Sequence, residues 1–142
     1  MRDEEGRLKS PSEVFFIDEG LGGPTIAKAL RDAGETVVLH GDHFRKGVED
    51  VEWLEYAAAQ RWLILTKDDG ISRNPLEKAM VKRTHACLFA LESQSMSGAD
   101  MAKAFTLARN RMKQFARKHK GPFIAKVYRN GKVKAWKRAA DL

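Results

Sequence analysis

Four short apolar runs, VFFI at 14–17, TVVLH at 36–40, RWLILT at 61–66 and HACLFAL at 85–91, alternate with stretches in which apolar residues recur at helical spacing. Strand-length segments separated by helices pair side by side through crossovers, so the alternation points to the α/β class, a mostly parallel sheet covered on both faces. The helices carry their own punctuation. Pro24 suits a first turn and Gly34 closes IAKALRDAG; Asp50 reads as the N-cap of DVEWLEYAAAQ; Asn74-Pro75 opens a further helix with Leu76, Ala79, Met80 and Arg83 in its turns. GDHFRKG, after the second run, reads as a loop with two glycines. The longest helix is expected over about 100–118, capped by Ser97 or Asp100, with Met101, Phe105, Ala108, Met112 and Phe115 on one apolar face. PFIAKVYRNGKVKAWK then reads as an antiparallel hairpin around the two-residue turn Asn130-Gly131, with Phe123 or Ile124, Val127 and Val133 turned inward.

Residues 1–12 are polar and read as an N-terminal tail, leaving 13–142 as a single domain with no internal repeat. A chain of 142 residues buries roughly two-thirds of its unfolded surface, enough to fold without disulfides. The lone Cys87 has no internal partner and reads as a small core hydrophobe. No apolar stretch reaches bilayer length, and MRDEEGRLKSPSE lacks the apolar centre of a signal peptide, so a cytoplasmic location without membrane contact is expected.

Charge is divided along the chain. Residues 1–99 hold 13 Lys/Arg against 17 Asp/Glu, whereas residues 100–142 hold 13 against 2. A block that basic suits a polyanion, nucleic acid above all; Arg111, Lys113, Arg117 and Lys118 lie off the apolar stripe of the long helix and are candidates to grip phosphate.

The acids have a different distribution. Asp18 and Glu19 follow the first strand, Asp42 the second, Asp68 and Asp69 the third, and Asp50 opens the helix before the third. In a parallel sheet the carboxyl ends of the strands form the ligand-binding rim, so these side chains converge on one edge. Crowded carboxylates raise one another's pKa unless a cation offsets them, and oxygen ligands favour a hard ion such as Mg²⁺ or Mn²⁺. Such an ion activates water and clamps phosphodiester oxygens. His40 and His43, flanking Asp42, form a His-x-x-His pair, a weaker metal signal across a strand-to-loop boundary. Glycines 20, 22 and 23 do not match a phosphate loop, because no GK[ST] follows.

At these residues the chain resembles the PIN-like ribonucleases, particularly the compact branch found as toxins of bacterial toxin–antitoxin pairs. The resemblance runs through FFIDEGLGGPTIAKALRDAGETVV and GVEDVEWLEYAAAQRWLILTKDDG, within residues 15–70. Asp18, with Glu19 beside it, matches the family's D-E-x motif; Asp50 matches the acid opening the helix before the third strand; Thr66-Lys67-Asp68 matches its T-x-D motif. Where the family often carries a further Asp, this chain has Gly70, with Asp69 adjacent to Asp68 instead. The resemblance implies a three-layer α/β/α domain that binds Mg²⁺ or Mn²⁺ on Asp18, Asp50 and Asp68, with Asp69 as a further acid, and cuts single-stranded RNA. It places Thr66 and Lys67 at the substrate. It also implies a cognate antitoxin and a homodimer.

Two other functions fit the same residues. A receiver-like phosphoacceptor module also gathers two acids after strand one and an Asp, here Asp68, after strand three; Lys126 would be its required lysine. A non-catalytic nucleic-acid-binding protein would use the basic helix and hairpin alone, with structural acids.

Overall fold

The computed structural model describes residues 13–21, 24–45, 47–67, 75–92, 96–138 and 141–142. The expected tail at 1–12, Gly22, Gly23, Asp68, Asp69 and Gly70 lie outside the described residues. Six strands, β1 (Val14–Ile17), β2 (Thr36–Leu39), β3 (Leu63–Lys67), β4 (Cys87–Leu91), β5 (Phe123–Val127) and β6 (Val133–Lys137), form one sheet in the order β2-β1-β3-β4-β5-β6. The first five are parallel neighbours and β6 pairs antiparallel to β5. Helices α1 (Thr25–Asp32), α2 (His40–His43), α3 (Asp50–Ala59), α4 (Pro75–Thr84) and α5 (Gly98–His119), with a 3-10 turn at Glu19–Leu21, are the other elements among the described residues.

Alternation along each strand divides the core in two. Phe15 and Ile17 pack with Ile26, Ala27 and Leu30 of α1 and with Ala102, Phe105, Ala108 and Met112 of α5. Phe16, between them, packs on the opposite face with Trp53, Leu54 and Ala57 of α3 and Val81 of α4. The result is the three-layer α/β/α architecture, and the continuous apolar runs follow from strands covered on both sides. Phe15, Phe89, Phe105 and Phe123 are fully buried on the α1/α5 side, where truncation of any one to alanine costs about 3–5 kcal/mol.

Local chemistry fixes the ends of the elements. Gly34, at φ +93°, donates to the Arg31 carbonyl while Glu35 donates to Leu30, the paired bonds by which a left-handed residue closes a helix. Ser97 caps α5 by accepting from the Asp100 amide at 3.1 Å. Three local expectations are corrected. The N-cap of α3 is Glu49, without a side-chain bond, and Asp50 is the first helical residue. His40–His43 is a short helix rather than loop. The hairpin turn has three residues, not two: Tyr128 still donates to the Lys132 carbonyl, and Gly131, at φ +83°, donates back to Tyr128. This is a type I turn with its left-handed glycine.

One connection of the sheet departs from the pattern of the others. From β3 to β4 the chain crosses over the α3/α4 face; from β4 to β5 it moves the same way along the sheet but crosses over the α1/α5 face. The two connections therefore have opposite hands, and one departs from the rule of right-handed crossovers. Because α5 lies beside α1, no helix among the described residues crosses over β5 and β6 on the α3/α4 side, where Leu142 packs against the core.

Candidate active site

The strand order reverses between β1 and β3, since the chain leaves β1 toward β2 and returns past it. At such a switch point the loops beyond the carboxyl ends splay apart and leave a crevice. Asp18 follows β1 there, and its amide donates to the Leu65 carbonyl at 3.0 Å, extending the β1–β3 ladder by one rung. Its side chain lies two residues beyond Phe16, on the α3/α4 face. Thr66 of β3 lies on that face too; it is 6% exposed and donates its hydroxyl to Asp18 Oδ2 at 2.8 Å. The carboxyl ends of the two distant apolar runs are thus tied side chain to side chain as well as through the backbone.

A cavity of about 160 Å³ opens beside this pair, walled by Asp50, Trp53 and Leu54 of α3, Glu77, Met80 and Val81 of α4, and Lys67 and Leu88 of the sheet. Asp50 reaches it from the first turn of α3, where the positive end of the helix dipole favours a carboxylate. Its Oδ1 accepts from the Trp53 indole at 3.1 Å, which fixes the side chain without neutralising it. Burial pushes the Asp18 carboxyl above the usual carboxylate range, and the Asp50 charge adds to the rise; the Thr66 bond and His40 oppose it.

Asp18, Asp50, Thr66 and Lys67 therefore line one cleft, at the end of β3 that leads into Asp68 and Asp69. Glu77, which sequence reading missed, lines it as well. Its signal was faint: a single Glu in the first turn of α4, where acids are common for dipole reasons alone. Glu19 sits outside, with its Oε2 4.0 Å from Nδ1 of His40. The His40–His43 pair does not converge. His40, 5% exposed, packs among Phe16, Phe44 and Trp53, while His43 Nε2 meets the Tyr56 hydroxyl at 3.1 Å. Cys87 is half-buried against the α1/α5 core, and burial pushes its thiol up to about 11, in keeping with a packing role.

The four candidate phosphate ligands of α5 are placed elsewhere. The helix runs antiparallel to the strands, so its last turns lie at the amino ends of β1 and β2, away from the cleft. There Lys113 Nζ bonds both carboxylate oxygens of Glu35 at 3.0 and 2.9 Å, and Arg117 Nε lies 2.6 Å from Glu13 Oε1. Arg111 and Lys118 share these turns. The structure does not bring these four candidate phosphate ligands to the acids.

The model of the PIN like domain family matches residues 14–93, more than half of the chain, and with them the whole cleft. The chain belongs to the PIN-like family. This PIN-like chain is also 29% identical over 125 residues to the "Putative ribonuclease VapC45" of Mycobacterium tuberculosis, covering 85% of this chain and 90% of that protein. No solved structure matches it. The PIN-like match ends before α5 and the hairpin, so the two basic elements lie beyond it.

Proposed function

We propose that this PIN-like protein is a metal-dependent endoribonuclease that cleaves RNA phosphodiesters and acts as the toxin of a type II toxin–antitoxin pair. A cognate antitoxin would cover the cleft, a homodimer is the proposed assembly, and the cytoplasm the proposed location. No helix among the described residues is long and apolar enough to cross a membrane. The observation that carries the reading is the Thr66–Asp18 bond across the switch point, which sets a half-buried carboxylate on the same cleft as Asp50.

Among the described residues, no three Asp, Glu, His or Cys side chains converge closely enough to hold an ion. Asp18 and Asp50 nevertheless fit Mg²⁺ or Mn²⁺: both offer oxygen, and both burial and mutual repulsion oppose the ionisation of Asp18 until a cation offsets them. Mg²⁺ is commonly held by one or two carboxylates with waters completing the octahedron, and Asp68, next in sequence after Lys67, is proposed as a third ligand with Asp69 beside it. When bound, the ion would acidify a water and stabilise charge on the phosphoryl oxygens. Thr66 would hold Oδ2 of Asp18 in place and Trp53 would hold Oδ1 of Asp50, so that neither carboxylate turns away. Lys67 would meet the phosphate, and Glu77 would add a carboxylate from the α4 wall.

The PIN-like match and the engagement of Lys126 over the Trp136 ring favour this reading over the phosphoacceptor one. The test is cleavage of single-stranded RNA by purified protein with Mn²⁺. Cleavage that a chelator stops and Asp18→Asn removes is the expected result; Mn²⁺-loaded protein that cuts no RNA overturns the proposal.

A further inference from the structure

The crossover of α5 to the α1 side leaves the hairpin's other face, beyond Ile124, without a crossover helix among the described residues, and that face has a distinctive chemistry. Residues 120–138 carry seven Lys/Arg and no Asp or Glu. Ile124 of β5 packs on the α3/α4 core, so Lys126, two residues on, shares that face, and its register partner Lys134 does too. Nζ of Lys126 sits 3.6 Å from the centre of the Trp136 ring, which is 39% exposed, and Nζ of Lys134 sits 5.6 Å from the Tyr128 ring. Two aromatic rings are thus each interleaved with a lysine.

Beside them is a concavity of about 430 Å³ lined by Tyr128, Arg129, Asn130, Lys132, Lys134 and Glu92. The turn is braced from behind. Arg129 is tied to Asp100 at the start of α5 at 2.9 Å, and a Cβ at Gly131 would come within 2.8 Å of Leu107, so glycine lets the turn press against the helix. Position completes the picture. Tyr128 follows the carboxyl end of β5 as Asp18 follows that of β1, so the concavity opens on the same rim as the acids. Three strand spacings separate β1 from β5, roughly 14 Å, about four stacked nucleotides at ~3.4 Å each.

We propose that the hairpin is a stacking subsite for single-stranded RNA, in which unpaired bases lie on Tyr128 and Trp136 while Lys132 and Lys134 meet the phosphates. Alternating rings and cations suit an unpaired strand, because each base offers a π-face to a ring while the backbone runs along the charges. Glu92 supplies an acceptor for base amino or ribose hydroxyl groups. The subsite rests on the ribonuclease reading and extends it by assigning the grip on RNA to the hairpin rather than to the last turns of α5.

The experiment uses the full chain carrying Asp18→Asn, so that RNA stays intact, and a fluorescein-labelled ten-nucleotide single-stranded RNA followed by anisotropy. Tyr128→Ala and Trp136→Ala should each weaken binding about tenfold, Tyr128→Phe should restore it, and Lys134→Gln should lower the slope of log Kd against log salt by about 0.7. Equal loss for a blunt RNA duplex would mean charge without stacking and would overturn the proposal. Circular dichroism melts check folding, and Lys132→Gln, at an exposed turn position, provides a second variant. Unchanged affinity in Tyr128→Ala, Trp136→Ala, Lys134→Gln and Lys132→Gln, with the unsubstituted chain cutting RNA, overturns the subsite alone. Binding through the hairpin while the unsubstituted chain cuts nothing overturns the ribonuclease reading instead.

Discussion

The carboxylates that precede β1 and β2 and those that line the cleft are held in opposite ways. At the amino ends of the strands, Glu35 is 10% exposed and bonded by Lys113, with Arg109 Nε at 3.6 Å, and Glu13 is bonded by Arg117. At the carboxyl ends, Asp18 accepts from a hydroxyl and Asp50 from an indole. The Arg117 bond holds the Glu13 carboxyl below its usual range, whereas burial lifts that of Asp18 above it. An acid matched by a side-chain cation has its charge offset within the fold. One held by neutral donors is oriented without its charge being offset by them, which suits the proposed role of a metal ligand.

Substitutions at each end can break this contrast. The largest effect is expected at Asp18. Asp18→Asn should lower RNA cleavage at least about a hundredfold, the scale of losing a key electrostatic contact in a site. Because the folded pKa of Asp18 is raised above its unfolded value, the folded chain holds the proton more tightly and stability falls as pH rises through the folded pKa. In metal-free buffer the variant should therefore melt higher than the parent at pH 7, with the gap closing below about pH 4. Added Mn²⁺ should raise the melting temperature of the parent alone. A variant that melts lower at every pH would place Asp18 with Glu35 and end the contrast.

Thr66→Val comes next. Losing the hydroxyl removes the bond that restrains the Asp18 pKa, so the acid limb of the pH–rate profile should move to higher pH and turnover fall about tenfold, with Thr66→Ser restoring both. A smaller effect, on stability, is expected from Lys113→Met, which leaves Glu35 with Arg109 and should cost about 1–3 kcal/mol in urea unfolding. A loss of RNA affinity exceeding that of Lys134→Gln would return Lys113 to the substrate side. Arg117→Gln should have the least effect. Glu13's depressed pKa adds stability that is present above its unfolded value and lost as pH falls through the folded one, so parent and variant should differ at pH 6 and converge once the pH is below the folded value in thermal melts.

Much of the architecture was legible because strands covered on both faces must be apolar throughout, and because Gly34, Pro75 and Ser97 each mark a helix end through local backbone chemistry. The family resemblance was legible for a related reason: acids that must meet at one rim sit at fixed places after strands. Glu77 was hidden because an acid in a first helical turn is ordinary, and only the packing of α4 against the cleft distinguishes it. Asp50 was assigned to the right helix end but to the cap rather than to the Trp53 bond, since both uses have the same spacing.

The basic block marks the boundary between what each level decides. Sequence alone determined that the last third of the chain is strongly cationic and that the acids follow strands. Which cations face the acids depends on the direction of α5 and the face it crosses. Those are set by the packing of Ala102, Phe105, Ala108 and Met112 against the α1 side of the core, a long-range choice that no local spacing encodes. That packing carries Lys113 and Arg117 to the far end of the sheet, where Glu35 and Glu13 meet them, and leaves Lys126 and Lys134 with their aromatic rings on the cleft's side.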